Sequence, residues 1–470
     1  MPKPMFLEEK DAAVIHKATL QVLEKTGIYL DHEEAEDILL SAGAKKDEYG
    51  RILFPSVMVE DALEKSAARL KLWDRDKNSS ILLRNGRTYF GPGSDALYNL
   101  DRQTGEIRRS TISDIRDNVR VADALSGFDF VMSMALPDEV PPNKLYATVF
   151  AEMVKNTAKP LIVTATCIED IKQIHHIAII VSGDENDLRK KPFFIAYLEP
   201  ISPLKFDRSI TERLLYCADN GIPIVFAAGA NCGSGAPVTP EGGVVQGGAE
   251  SLAGLVLALL RNEEARFVYG ANTSVMDMTT SIVSYGAPEW FRTVAMYADM
   301  GKYYEVPSWG TAGCSDSFSV DAQAAMEAYE GILMALQSGT TLAHDVGYLA
   351  HGMLYDARML VLTDEMIKRA RYLLKTVDFS EKSLATDVID EIARKNELYL
   401  AHPHTAEVFR DVLWLAPPYI NRKSLMNPDA NSDLGALLME RVHGILAAYE
   451  SKGLPSDKVM EIDRYLESLT

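Results

Sequence analysis

Eight strand-like runs, each followed by a helix-like stretch, lie between residues 87 and 376, and no other feature restricts the fold as strongly. The runs are 87–93 (RTYFGPG), 128–134 (FDFVMSM), 160–166 (PLIVTAT), 192–199 (PFFIAYLE), 222–228 (IPIVFAA), 266–272 (RFVYGAN), 306–312 (VPSWGTA) and 341–348 (TLAHDVGY). Most are short and almost wholly apolar, rich in Val, Ile, Phe and Tyr, as parallel strands covered on both faces must be. Amphipathic helices are expected at 112–125, 145–157, 168–181, 210–220, 250–261, 288–304, 322–337 and 364–376. An open doubly wound sheet alternates in the same way, but eight regular units favour closure into a (β/α)₈ TIM barrel of the α/β class. In such a barrel chemistry gathers at the C-terminal ends of the strands, which narrows the search for a site.

At 470 residues the chain suits one decorated barrel. Its net charge is −19, and no run of lysine or arginine is present to track phosphates, so nucleic acid is not an expected partner. Four cysteines without a CxxC pair suit a reducing, cytoplasmic setting better than a disulfide framework. The N-terminal MPKPMFLEEKDAAVIHK lacks an apolar core, and no apolar stretch is expected to reach the roughly 18–20 residues of a membrane span.

Three regions follow from the pattern: a helical cap (1–80), the barrel (81–376) and a helical C-terminal extension (377–470). In the cap, 8–26 and 32–41 carry helix-period apolar positions, and 55–70 opens with a proline suited to a first helical turn. Around DRQTGE, residues 96–99 and 107–110 read as a hairpin. After residue 376 come AHPHTAEVFR, WLAPPYINRKS and MNPDANSDLG, then two charged amphipathic helices expected to lie against the barrel or a second subunit. A homo-oligomer is expected.

The strand ends are rich in aromatics and carboxylates and poor in bases. They carry Gly91, Gly93 and Asp95; Tyr197 and Glu199; Gly229, Asn231 and Gly233; Tyr269, Gly270 and Asn272; Trp309, Gly310 and Asp316; and Asp345, Tyr348 and His351. Glycines there either let a large planar partner approach the backbone or simply make tight turns. Aromatic rings beside carboxylates can cage a cation, each contact contributing about 0.5–2 kcal/mol, with core packing as the alternative for any single ring. His351 can meet a substrate carboxylate, act as an acid, or be structural.

Other signals are weaker. His175 and His176 are adjacent on a helix and face different ways, and His402-Pro403-His404 is expected in a surface loop, so no protein-bound metal is expected. Cys232 and Cys314 lie in turns at the catalytic face without a histidine nearby in sequence, which favours ordinary thiols over nucleophiles. GANCGSG at Gly229 looks like a phosphate cradle but lacks the GxGxxG spacing.

Taken together, FGPGSDA from Phe90, NCGSGAP from Asn231, YGANTSVMDM from Tyr269, YGAPE from Tyr285, WGTAGCSDSFSVDAQA from Trp309 and HDVGYLAHG from His344 make the chain resemble the trimethylamine methyltransferase superfamily, specifically its members without pyrrolysine. The resemblance spans almost the whole length. It implies a (β/α)₈ barrel that moves a methyl group from a methylated amine to the cobalt(I) of a cobalamin carried by a separate corrinoid protein. In the trimethylamine enzymes pyrrolysine lies in the segment matching CSDSFSVD, where Phe318 stands here. That departure points towards quaternary amines, as in the glycine betaine methyltransferases of the superfamily.

The chemistry agrees with this, because a quaternary ammonium releases a neutral amine on attack and needs no general acid. On position and chemistry, Tyr197, Tyr269, Trp309, Phe318 and Tyr348 are candidate cage members, with Tyr98 beside them at the substrate. Asp95, Glu199 and Asp345 supply negative field, and Asn231, Asn272 and His351 are candidates for a substrate carboxylate. Gly91, Gly229 and Gly310 are expected to leave clearance for the corrin. Two other readings are compatible with the barrel: a different barrel enzyme acting on an acidic metabolite, including a metal-dependent methyltransferase or a lyase, and a non-catalytic betaine-binding barrel.

Overall fold

Seven parallel strands hydrogen-bond in the order Tyr89–Phe90, Leu342–His344, Ser308–Thr311, Phe267–Ala271, Ile224–Ala228, Phe194–Leu198 and Leu161–Val163. Residues 129–131 close the gap between the two outer strands. The Asp129 amide donates to the Phe90 carbonyl at 2.7 Å, and the Val131 amide donates to the Pro160 carbonyl at 2.9 Å. Val131 also bridges Leu161 in parallel. The eight expected runs therefore form a closed barrel, with the second run making a single bridge in place of a ladder. The computed structural model describes residues 6–66, 70–423, 433–450 and 453–469. Residues 67–69 of the expected helix 55–70, Ser424 of WLAPPYINRKS and 426–432 of MNPDANSDLG lie outside them.

Capping explains the helix limits. Asp207, Asp321 and Asp356 accept from first-turn amides of Arg208–Asn220, Ala322–Ser338 and Ala357–Leu373, and Gly221 and Gly339 end the first two in the left-handed conformation. Two helices begin earlier than their periodicity suggests. Ala357–Leu373 starts at its aspartate cap, and Pro240–Arg261 runs through glycines that read as breakers. Those glycines are packing positions: a Cβ on Gly247 would stand 2.3 Å from the Tyr297 hydroxyl. At 22 residues this helix does reach spanning length, contrary to expectation, but 83% of its apolar window is buried inside the protein.

The cap contains its three helices, Glu9–Lys25, Glu33–Ser41 and Ser56–Ser66, but is not purely helical. Ile28–Leu30 pairs antiparallel with Arg51–Leu53 and parallel with Lys205–Phe206. A hairpin, Leu70–Trp73 with Ser80–Leu83, crosses residue 80 and plugs one end of the barrel. Its Leu70, Leu72 and Leu83 pack on Phe130, Ile162, Ile195, Val225, Val268 and Leu342. The Trp73 amide donates to the Pro192 carbonyl, just before the fourth strand, so the plugged end is the N-terminal one.

The strand pleat sorts side chains by parity. On Phe194–Leu198, Ile195 and Tyr197 point into the barrel, whereas Phe194, Ala196 and Leu198 face the helices. At the open end the expected hairpin forms from Tyr98–Leu100 and Ile107–Arg109, extended by Leu354–Tyr355 and Tyr348–Leu349. Beyond the barrel, Leu434–Ala447 packs on Ile112–Ala124 and Ala357–Leu373, and Ser456–Ser468 on Leu145–Asn156 and Ile168–Ser182.

Candidate active site

A cavity of about 430 Å³ opens at the C-terminal mouth of the barrel. Inward parity on the fourth strand carries Ile195, then Tyr197, then Glu199, so a greasy floor passes through a ring to a carboxylate. Asp95 follows the first strand and Asp345 the eighth, both in the left-handed region (φ 68° and 66°). His351 shares that conformation (φ 58°). Non-glycine residues held there cost about 1–2 kcal/mol each, a strain found preferentially at functional sites.

The carboxyls Asp95, Glu199 and Asp345 line one cavity with no Lys or Arg among the residues around it. Asp95 accepts from Ser133 (3.2 Å) and Thr164 (3.0 Å), and Glu199 from the Tyr197 hydroxyl (2.8 Å). Burial raises all three. Asp95 goes to about 6 despite its hydroxyl donors, with Asp345 adding repulsion. Glu199 is open to the cavity but walled by protein and reaches about 7, again with Asp345 and Asp95 repelling it. Asp345 reaches about 7. Burial holds His344 neutral, its pKa falling to about 3.

Aromatic surface surrounds this negative field. Tyr197, Tyr285, Trp290 and Tyr348 line the cavity, with Tyr285 edge-on to Trp290 at 4.4 Å. Among the described residues no Lys or Arg sits over any of these rings. Polar atoms are also left over: the Tyr348 hydroxyl, the Asn272 Oδ1 and the Trp290 Nε1 have no partner among the described residues. Asn272 donates through Nδ2 to Tyr197 Oη at 2.6 Å, extending the chain that ends on Glu199. Buried polar atoms without partners are costly, and a ligand is one way to satisfy them.

The expected residues divide. Asp95, Tyr197, Glu199, Gly229, Asn231, Asn272, Asp345, Tyr348 and His351 meet at the cavity. Tyr269 does not: its outward parity places it among the helices, edge-on to Tyr304 at 5.2 Å. Trp309 points inward but lies beneath the cavity, stacked under Tyr197 at 5.2 Å and against His344 at 4.0 Å. Phe318 stands on the rim, 65% exposed, edge-on to His351 at 5.9 Å. Tyr98 lies in the neighbouring sheet with Arg109 over its ring at 4.8 Å.

Nor do the three clearance glycines leave open space. A Cβ on Gly310 would meet Val294 at 2.9 Å on the helix side, one on Gly91 would strike the Phe130 ring at 2.2 Å, and one on Gly229 would strike Glu199 Oε1 at 2.0 Å. Gly229 is small so that Glu199 can lie across it.

His344, Tyr285 and Trp290 were the residues missed. The first was visible as the neighbour of Asp345; Tyr285 sits in a loop that periodicity does not place, and Trp290 in the first turn of the expected helix, Pro288–Tyr303. The weaker signals resolve as well. Asn231's carbonyl accepts the amides of Ser234, Gly235 and Ala236, leaving GANCGSG no phosphate cradle. Burial pushes both Cys232 and Cys314 thiols up, away from thiolate character. His402 caps a helix, Pro403–Val412, that was expected as loop. No group of three His, Cys, Asp or Glu is arranged to hold a metal among the described residues.

Residues 1–468 match the family model described as trimethylamine methyltransferase. A trimethylamine methyltransferase of Desulfitobacterium hafniense (strain DSM 10664 / DCB-2) is 29% identical over 399 residues, covering 84% of this chain and 80% of that one. A glycine betaine methyltransferase of D. hafniense (strain Y51) is 28% identical over 413 residues, covering 86% and 84%. The crystal structure of the Methanosarcina barkeri monomethylamine methyltransferase superposes with a TM-score of 0.56 over 96% of this chain and 90% of that one, at 12% identity.

Proposed function

The chain belongs to the trimethylamine methyltransferase family, and on that premise we propose that it takes a methyl group from a quaternary amine, glycine betaine or a related betaine, and delivers it to the cob(I)alamin of a partner corrinoid protein. The observation that carries this reading is the cavity itself: three carboxyls and four aromatic rings around about 430 Å³, without a lysine or arginine among the lining residues. Such a mouth is built for a fixed positive charge. Cation–π attraction and negative field both act on an ammonium that cannot be neutralised by losing a proton.

The residues divide the work. Asp95, Glu199 and Asp345 draw the ammonium in, and Tyr197, Tyr285, Trp290 and Tyr348 pack against its methyl groups and exclude water. Asn231, Asn272 and His351 are left to meet a carboxylate. His351 donates through Nδ1 to Asp316 Oδ1 at 2.9 Å, which fixes the ring's orientation. The partner's cobalt(I) supplies the electron pair that displaces the amine. The N–CH₃ bond breaks with its electrons staying on nitrogen, so a neutral tertiary amine departs and no proton is required of the protein. What this chain contributes is position and a dry surround.

Docking of a protein over the mouth is supported by its rim. Ile201, Val238, Met278, Phe318 and Met353 are all exposed, one on each loop after the fourth to eighth strands. Exposed apolar side chains gathered around a site mark a contact surface. The test is incubation with reduced cobalamin and a panel of quaternary and tertiary amines, following transfer of an isotopically labelled methyl group. Transfer from at least one quaternary amine is expected. Tight binding without transfer, also in the presence of a corrinoid protein, would leave a binding barrel in place of an enzyme.

A further inference from the structure

The segment between the last barrel helix, Ala357–Leu373, and residue 413 is an arm that leaves and returns at one point: the Tyr372 hydroxyl donates to the Val412 carbonyl. Its own contacts hold it together. Lys382 pairs with Glu407, and His404 donates through Nε2 to the Lys382 carbonyl at 2.9 Å. Within it Thr386–Lys395 is amphipathic, yet only Ile392 of that helix is buried. Phe379, Leu398 and Leu400 are 76%, 79% and 86% exposed, and Val377, Leu384 and Ile389 of the same arm are exposed too. At about 150–200 Å² for each such side chain, these six leave on the order of 700 Å² of apolar surface in water, close to the roughly 800 Å² one partner contributes to a stable interface.

Position and complementarity identify the partner. Barrel helices run from the mouth to the plugged end, and Arg371, near the end of this one, pairs with Asp129 where the second run begins. The arm thus springs from the end opposite the mouth, where a methyl-accepting protein does not reach. The same chain offers an apolar counterpart, a groove of about 590 Å³ between Ala322–Ser338 and Ala357–Leu373, floored by Met326, Tyr329, Leu333, Leu362 and Met366. Two surfaces of one chain that match each other are the requirement for a closed, two-fold pair.

We propose that the arm of one chain seats in this groove on a second copy, and that the second copy returns its arm. Sedimentation velocity on the full chain at micromolar concentration tests it. The wild type is expected to sediment as a dimer or a higher even assembly. Both the double variant Leu398→Asp, Leu400→Asp and the single variant Met326→Asp should weaken association by about a hundredfold or more. The substituted residues are exposed in the single chain, so far-UV circular dichroism and affinity for a quaternary amine should not change. A monomeric wild type overturns the proposal. So does either variant that still associates like the wild type, or a wild-type monomer that floats with anionic phospholipid vesicles, which would make the arm a lipid-binding element.

Discussion

Oδ2 of Asp345 lies 3.2 Å from Nε2 of His344, while Nδ1 of the same imidazole lies 3.0 Å from the Gly310 carbonyl oxygen. Burial keeps that ring neutral, so its one proton sits on Nδ1, donated to Gly310, and Nε2 is an acceptor. The contact with Asp345 is then favourable when the carboxyl carries a proton, in keeping with its pKa of about 7. In the free protein near neutrality the mouth is thus partly protonated. A bound cation favours the ionised form and expels those protons.

Proton release on binding follows. Titration calorimetry with a quaternary amine at pH 7 in phosphate and in Tris should give different heats, corresponding to release of up to about one proton, the number these three carboxyls hold at that pH. Affinity should fall as pH drops through about 7 and then about 6, where Glu199, Asp345 and Asp95 protonate. Identical heats in the two buffers would contradict the arrangement.

Stability of the unliganded protein should carry the opposite sign. A carboxyl raised from 3.8 to about 7 contributes stability below its unfolded pKa and loses it as pH rises through the folded one. Asp345→Asn, which keeps a donor to His344, should therefore be more stable than wild type by about 1–3 kcal/mol at pH 8 and show no such advantage near pH 4. Thermal unfolding at the two pH values decides it.

Rings at the cavity and rings beneath it should separate experimentally. Replacing Tyr348 or Trp290 with alanine should weaken binding of a quaternary amine by roughly tenfold or more, and Tyr348→Phe should retain most of it. Trp309→Ala should instead cost about 3–5 kcal/mol of stability, because that ring is fully buried in the barrel core. Binding isotherms and denaturant melts on the same variants give both answers.

Gly229→Ala should depress binding and transfer together, since the new methyl displaces the Glu199 carboxylate. Transfer falling alone would restore a clearance role for this glycine.

Phe318 is exposed on the rim, outside the cavity. Phe318→Ala should leave amine binding within about twofold while lowering transfer to a corrinoid protein. Trimethylamine should not be turned over at a rate comparable to the best quaternary amine.

Much of this was written in local pattern. The βα alternation specified the barrel, and strand ends located Asp95, Glu199, Asp345 and Tyr348. What sequence alone did not convey was parity. Tyr269 and Gly310 stand at strand ends as Tyr197 does, but one residue along a strand reverses the face, and both turn to the helices. The register that decides this is fixed by pairing across the barrel, such as Gly270 opposite Trp309, and by nothing nearby in the chain. Tyr285 escaped for a related reason: its loop folds over the mouth through long-range bonds, the Tyr285 amide donating to Asp316 at 2.6 Å, and Trp290, in the first turn of Pro288–Tyr303, meets the cavity edge-on to that tyrosine.

The leucine-rich hairpin under the barrel makes the site a blind tube. With Leu70, Leu72 and Leu83 stoppering the far end, the cavity has one doorway, and on the proposed reading amine and methyl acceptor would have to share it. The small molecule would then enter first, and its demethylated product would wait until the larger guest departs. Turnover on such a plan would be a queue with compulsory order, in which excess acceptor slows the reaction by standing in the door.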